Sequence, residues 1–232
     1  MTAPGVAGEG APAQAAPTQA APSSLWLWRH PRPEGAAGRC IGQTDLPVHP
    51  RRAKRLAHRI RTAARRHGLP RAVWTSPLRR CADVGRWLAR WGWRHHIDAR
   101  LMELHFGAWD GQPWRDIAWS EVQAWEADFT GHAPGGGEAL AAMALRVAAW
   151  VQAPAPGRPP EAPGAHGGGA LAATEPRLVV AHAGVMQLLQ RAERPTDPAV
   201  RLATRLCAGL DAAHWPRPPR YGECRQARFG PA

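Results

Sequence analysis

Arg29 and His30 directly follow the short apolar run at 25–28, and this pair is the first in the chain that could do chemistry. A strand that ends in a histidine beside a cation could present an imidazole nucleophile to a phosphate. Neutral imidazole suits that role because its reference pKa is about 6.5. Arg-His also occurs at 66–67 and 94–95, so the interpretation depends on partners elsewhere in the chain.

Three other residues could complete a site for phosphoryl transfer, namely Arg80, Glu103 and His182. The reaction needs cations around the phosphoryl oxygens, an in-line nucleophile and an acid for the leaving group. The planar fork of Arg80 matches phosphate oxygens and stays charged. Glu103 is the candidate acid, because the apolar residues around it in the sequence favour a protonated carboxyl.

The elements that must position these residues alternate between strand and helix. Short apolar runs predict strands at 25–28, 72–75 and 178–181, and apolar periodicity predicts helices at 78–91 and 138–151. Ser76 and Pro77 are typical of a helix start, and a further helix is predicted from about residue 185. Such alternation predicts a mostly parallel sheet, in which ligands bind beyond the carboxyl ends of the strands. Arg29, His30, Arg80 and His182 should therefore face one crevice.

The remaining segments carry weaker signals. Residues 35–50 are predicted to form a loop, 98–137 an irregular region with four tryptophans, and 218–222 a short surface strand. The chain of 232 residues is long enough for one sizeable domain, assigned to 25–232. Its Ala/Pro-rich start at 1–24 predicts a disordered tail, and 152–176 predicts a flexible insertion.

Composition limits the compartment and the partners. The segment 1–24 lacks the basic and apolar regions of a signal peptide, and no apolar run approaches the roughly 18 residues of a membrane span. We therefore expect a cytoplasmic protein without a membrane partner. The four cysteines are scattered and form no C-x-x-C pair, which predicts reduced thiols. His95, His96 and His105 have no fixed ligand spacing, so no metal site is assigned.

The formal net charge is +12, and the segment 51–71, within which an amphipathic helix is predicted, carries nine lysine and arginine side chains and no acidic one. Such a face could bind nucleic acid or another polyanion. The alternative is a solvated basic face in a chain rich in arginine throughout. We favour the solvated face, since no nucleic-acid motif accompanies the charge. The positive field would still attract a phosphorylated small molecule.

The order of these motifs resembles that of the histidine phosphatase superfamily, which includes phosphoglycerate mutases and α-ribazole phosphatases. Leu-Trp-Arg-His at 27–30 is similar to its Arg-His-Gly signature, and 75–81 to its Ser-Pro-Leu-x-Arg-Ala motif. The segment 103–111 is similar to its Glu-x-x-Phe-Gly-x-Trp-Glu-Gly stretch. The segments 134–138 and 179–185 resemble its Pro-x-Gly-Gly-Glu and second-histidine motifs.

The resemblance implies a three-layer α/β/α sandwich of the phosphoglycerate mutase type and a metal-independent reaction. His30 would attack phosphorus and form a phosphohistidine. Arg29, Arg80 and His182 would hold the phosphoryl oxygens. Glu103 would protonate the leaving oxygen and then help water to hydrolyse the intermediate.

The Gly-x-Thr-Asp-x-Pro stretch at 42–47 is closest to the α-ribazole phosphatase branch, and it makes Thr44 a candidate substrate contact. Pro31 replaces the glycine of most of the superfamily and is shared with that branch. Pro33 replaces a threonine of many members. The two prolines remove a backbone N–H and a hydroxyl near the expected phosphate.

The sequence thus predicts a phosphomonoesterase for a small phosphorylated metabolite, with α-ribazole phosphate as one candidate and no cofactor. One alternative is a phospholigand- or protein-binding module that kept the pocket but lost catalysis. Phosphotransfer of the phosphoglycerate mutase type is another. Trp109 and Trp114 are core or lid residues that could stack on a flat ring of the substrate. The oligomeric state stays open.

Overall fold

The computed structural model describes residues 24–153, 176–192 and 199–228. The predicted tail at 1–24 lies outside these ranges except for Ser24. The predicted insertion at 152–176 also lies outside them, except for its first two residues and its last.

Five strands and six α-helices make up the described chain. The strands are β1 (Ser24–Arg29), β2 (Ala72–Thr75), β3 (Arg94–Ile97), β4 (Arg177–Ala181) and β5 (Cys224–Arg228). The helices are α1 (Pro50–His67), α2 (Arg79–Ala89), α3 (Trp119–Ala127), α4 (Leu140–Gln152), α5 (Ala183–Gln190) and α6 (Ala199–Cys207).

The strands form one sheet in the order β3-β2-β4-β1-β5, in which only β5 is antiparallel to its neighbour. β1 lies between β4 and β5, with Arg29 beside Ala181 and Trp28 beside Cys224. The carboxyl ends of β1, β2 and β4 therefore meet at one edge of the sheet, which is where a ligand site is expected in such a fold.

Alternating side chains of the strands face two separate apolar clusters. Trp26 and Trp28 pack with α1 and α2 on one face, whereas Leu25 and Leu27 pack with α4, α5 and α6 on the other. The sheet is thus covered on both sides, and the predicted three-layer α/β/α architecture with a mostly parallel sheet is confirmed.

The predicted strands agree with β1, β2 and β4 to within one residue at each end, but two other predictions were wrong. Ser76 does not cap α2, since the capping position is Leu78 without a side-chain hydrogen bond. The segment 218–222 is not a strand, because the C-terminal strand is β5, two residues later. The predicted basic helix is α1, which ends at His67 as expected, and Gly68 after it adopts a left-handed φ of 63°. No helix of the described ranges is long and apolar enough to cross a membrane.

Candidate active site

A cavity of about 500 Å³ opens at the carboxyl ends of the parallel strands. All five residues assigned from the sequence line it: Arg29, His30, Arg80, Glu103 and His182. Apart from these five residues and the charged Arg39 and Glu126, the lining of the cavity is apolar and largely aromatic. Its aromatic and aliphatic side chains are those of Ile41, Leu104, Phe106, Trp114, Trp125, Phe129, Leu140, Met143, Trp215 and Tyr221.

His30 forms the floor of the cavity at the end of β1. Its Nδ1 lies 2.8 Å from the carbonyl oxygen of Pro31. A carbonyl can only accept a hydrogen bond, so Nδ1 carries the proton and Nε2 keeps its lone pair. Burial and then the positive charge of Arg80 hold the pKa of His30 well below its usual value. The imidazole is therefore neutral and able to act as a nucleophile.

Arg29 lies beside His30 without a carboxylate partner among the described residues. Its Nη1 donates to the carbonyl of Pro219 at 2.5 Å, and its guanidinium carbon lies 4.2 Å from the ring centre of Tyr221. Its Nε is buried and has no hydrogen-bond partner in the described structure. Burial of the guanidinium, which removes part of its hydration, lowers the pKa of Arg29 from its ordinary value.

Arg80 is almost fully buried, and its guanidinium is fixed on three sides. Nη1 donates to the carbonyl of Thr44 at 2.7 Å, Nη2 donates to the carbonyl of Gly42, and Nε donates to Nδ1 of His182 at 3.2 Å. These three hydrogen bonds fix the orientation of the guanidinium. Because the acceptors are neutral, they do not offset its positive charge. Arg79, its neighbour in the sequence, is exposed and does not line the cavity.

Asp110 holds the loop that orients Arg80. One carboxylate oxygen accepts hydrogen bonds from the N–H groups of Gly42 and Thr44, and the other accepts from the N–H of Gln43 at 2.6 Å. Partial burial alone would raise the pKa of Asp110, but bonds from the Thr44 hydroxyl and these backbone groups lower it overall. Asp110 thus stays ionised and places two carbonyls against Arg80.

Thr44 does not line the cavity, although the sequence suggested it as a substrate contact. Its hydroxyl donates to Asp110 at 2.5 Å, and its carbonyl accepts from Arg80. Its position gives it a structural part in the loop. Trp109 is also buried away from the cavity, with Cys40 and Ile117, whereas Trp114 does line it.

His182 is fully buried at the end of β4, and both ring nitrogens have partners. Nδ1 accepts from Nε of Arg80, so Nε2 carries the proton of the neutral ring and donates to the Ser76 hydroxyl at 2.8 Å. Burial and then the charge of Arg80 hold the pKa of His182 well below its usual value. The hydroxyl of Ser76, predicted as a helix cap, instead orients this histidine.

Glu103 faces the cavity from the loop that follows β3. Its carboxylate accepts from the N–H of Leu104 at 3.2 Å and from the N–H of Gly184 at 3.1 Å, a more polar setting than the sequence predicted. A β-carbon at position 184 would lie 2.5 Å from Oε1 of Glu103, so a larger residue there would displace the carboxylate from its present position. The N–H of Gly184 therefore serves the carboxylate, not a bound phosphate.

Arg146 and Glu138 hold the backbone around Glu103. The two side chains form a paired ion contact with both distances at 2.7 Å. Arg146 also donates to the carbonyls of Met102 at 2.7 Å and Glu103 at 3.1 Å. The motif at 134–138 does not line the cavity. It contributes to the site through Glu138, which pairs with Arg146 and so helps to hold the backbone at Glu103.

The C-terminal segment adds a wall that the sequence did not predict. Trp215 packs against Phe129 with ring centres 5.3 Å apart, and the ring of Tyr221 lies 5.5 Å from that of His30. These contacts join residues far apart in the chain, and no local pattern marks them. Among the described residues, no group of three His, Cys, Asp or Glu side chains is arranged to hold a metal ion.

Comparison with known proteins identifies the family. The sequence model of the histidine phosphatase superfamily (branch 1) matches residues 25–204, which is most of the chain and includes every assigned site residue. The chain belongs to this superfamily. No curated protein sequence matches it.

Solved structures of other histidine phosphatase-like proteins are similar over most of this chain. A mycobacterial glucosyl-3-phosphoglycerate phosphatase is 25% identical, with a TM-score of 0.59, over 88% of this chain and 89% of its own. A mycobacterial hydrolase is 25% identical, with a TM-score of 0.60, over 89% and 91%. The α-ribazole phosphatase of Shigella flexneri, 23% identical with a TM-score of 0.59 over 88% and 89%, shares the fold.

Proposed function

We propose that this superfamily member is a phosphomonoesterase that hydrolyses a small phosphorylated metabolite through a phosphohistidine on His30. The observation that carries the proposal is the 2.8 Å hydrogen bond between His30 Nδ1 and the Pro31 carbonyl. It fixes the tautomer that leaves Nε2 free, in a cavity that also contains Arg29 and Arg80. A neutral nucleophile between two cations suits attack on an anionic phosphorus centre.

In the first step, Nε2 of His30 forms a bond to phosphorus as the bond between phosphorus and the leaving oxygen breaks. Arg29 and Arg80 bind the phosphoryl oxygens and stabilise the charge of the transition state. His182, whose two ring nitrogens already have partners, supports this step by accepting a hydrogen bond from Nε of Arg80. Glu103, protonated before the step, gives its proton to the leaving oxygen. An alcohol leaves, and the phosphoryl group remains on His30.

In the second step, water attacks the phosphohistidine. Glu103 is now a carboxylate and accepts a proton from the water as the new oxygen–phosphorus bond forms. The bond between phosphorus and Nε2 breaks, and inorganic phosphate is released. His30 is again neutral and Glu103 again protonated, so the proposed cycle is complete without a cofactor or a metal ion.

The largely apolar lining of the cavity favours a leaving group with a flat ring. Trp114, Trp125 and Tyr221 line the same cavity as the two arginines, and aromatic side chains stack well on such rings. α-Ribazole phosphate, which carries an aromatic base, is therefore the substrate to test first. Glucosyl-3-phosphoglycerate, the substrate named for a structural neighbour, is the second.

Phosphate release from a panel of phosphomonoesters tests the proposal, with nitrophenyl phosphate as the generic substrate and His30→Ala as the control. We expect turnover in the presence of a metal chelator, an acid-labile phosphoenzyme, and a loss of at least about a thousandfold in the variant. Full activity of His30→Ala would contradict the proposal.

The same panel distinguishes the two alternatives. Phosphate binding without turnover or phosphoenzyme would point to a binding module. Conversion of 3-phosphoglycerate to its isomer, in place of phosphate release, would point to a mutase.

A further inference from the structure

The C-terminal segment at 212–223 lies after residue 204, where the family match ends, and contributes Ala212, Trp215, Pro218 and Tyr221 to the lining of the cavity. Backbone hydrogen bonds fix its register against β1: the N–H of Gly222 donates to the carbonyl of Arg29, and the N–H of Arg29 donates to the carbonyl of Glu223, both at 3.0 Å. Gly222 adopts a positive φ of 73°, which turns the chain into β5 directly after Tyr221. Tyr221 is thus tied in place beside Arg29.

The ring of Tyr221 contacts the two residues at the centre of the proposed reaction. The guanidinium of Arg29 lies 4.2 Å from its centre, within the range of a cation–π interaction, and the ring of His30 lies 5.5 Å away. The side chain is 41% exposed, so it does not fill a core. One part of the Tyr221 side chain contacts Arg29 and His30, and another part lines the cavity.

The guanidinium of Arg29 must be held in position by groups that do not neutralise its positive charge. A carboxylate partner would fix the guanidinium but would also offset its attraction for a phosphoryl group. Within the described ranges the structure instead provides one carbonyl, from Pro219, and one aromatic face, from Tyr221. Nε of Arg29 has no hydrogen-bond partner among the described residues and remains a donor without an acceptor.

We propose that Tyr221 is a positioning residue for the phosphoryl site, where its ring holds Arg29 against a bound phosphoryl group while leaving the positive charge of the arginine intact. This inference rests on the proposed function, because it gives Arg29 a phosphoryl ligand. The ring is the active part of the side chain, and the hydroxyl is not required.

Two substitutions separate the ring from the hydroxyl. Tyr221→Phe keeps the aromatic face, and Tyr221→Leu removes it at moderate cost in volume. We expect the inhibition constant of inorganic phosphate to rise about fivefold in Tyr221→Leu, the size of a typical partly buried cation–π interaction. In Tyr221→Phe it should stay within about twofold of the wild type. Trp119→Leu, which changes an exposed aromatic side chain outside the cavity, is the matched control.

A double-mutant cycle tests whether Tyr221 acts through Arg29. In an Arg29→Ala background, Tyr221→Leu should change phosphate inhibition by less than about twofold, since the residue it supports is gone. An equal fivefold loss in both backgrounds would overturn the inference. So would an equal loss in Tyr221→Phe and Tyr221→Leu, because the hydroxyl would then be the group that matters.

The chain contains a single tyrosine, which supplies a readout that does not depend on turnover. Protein labelled with 3-fluorotyrosine should give one fluorine resonance, and this resonance should shift on saturation with inorganic phosphate. The shift should be lost in Arg29→Ala. If phosphate inhibits the wild type but does not shift the resonance, the positioning role of Tyr221 is overturned and the proposed function is not. Failure of the wild type to bind phosphate at all would overturn both the inference and the proposed function.

Discussion

At the scale of single residues, three histidines follow an arginine in this chain, and only His30 lines the cavity. The ring of His67 packs at a tilt against Trp26 with ring centres 4.7 Å apart, and Nε2 of His95 lies 2.8 Å from the Thr75 hydroxyl. The dipeptide could not distinguish these positions. The residues before His30 do distinguish it, because the four apolar residues at 25–28 predict a buried strand that ends at the site.

Glu103 gives a prediction that depends on the leaving group. Glu103→Gln keeps the shape of the side chain but cannot donate the proton that an alkoxide needs. We expect kcat/KM for an alkyl phosphate to fall about a hundredfold or more, and that for nitrophenyl phosphate by no more than about tenfold. Steady-state kinetics on the two substrates provide the measurement, since kcat/KM reports the steps up to the phosphoenzyme. A similar loss for both would remove Glu103 as the acid.

At the scale of elements, the strands made mostly of apolar residues could be predicted from the sequence, whereas the strands rich in polar residues could not. β2 and β4 are buried along their whole length, and apart from Thr75 and Arg177 their residues are apolar. β3 and β5 lie at the two edges of the sheet and carry arginine, histidine and glutamine, which predict no strand. α3 was missed because it buries no residue fully and so has no apolar stripe.

The residues assigned from motifs all line one cavity, but the residues that support them had no local signal. Asp110 lies within a recognised motif, yet its contact with the loop at 42–44 spans more than sixty positions. Ser76 was read as a cap because its local sequence fits one, and its bond to His182 spans 106 positions. Tertiary contacts of this kind override local preferences, which is why the sequence could not reveal these roles.

Asp110 gives a prediction for the loop that orients Arg80. Asp110→Asn keeps the size but removes the charge and one acceptor for the N–H groups of the loop. We expect kcat/KM to fall about tenfold and the inhibition constant of phosphate to rise, because Arg80 loses its fixed orientation. Asp110→Glu, which retains both oxygens, should recover part of the loss. Asp116→Asn, at an exposed ion pair, is the control, and a loss of the same size there would refute the assignment.

At the scale of the whole molecule, the two neutral histidines make stability depend on pH. Burial and nearby cations lower the pKa of His30 and of His182, so the unfolded chain binds more protons than the folded one below about pH 6.5. The free energy of unfolding should therefore decrease as the pH falls from about 6.5 to 5. The decrease is on the order of 1 kcal/mol per pH unit for each histidine.

Urea unfolding at pH 7 and pH 5 measures this effect. The double variant His30→Asn/His182→Gln should lose most of the dependence, whereas His214→Gln, at an exposed histidine, should retain it. A wild-type stability that is unchanged between pH 7 and pH 5 would contradict the burial of neutral imidazoles.

The position of β1 between β4 and β5 also has a consequence for synthesis. β1, which leads into His30, is made well before its two neighbours in the sheet, β4 and β5. At 5–20 residues per second, the interval before β5 appears is about 10–40 s. Until then the backbone edges of β1 lack a partner strand, so they can pair with another chain before the residues of the cavity come together.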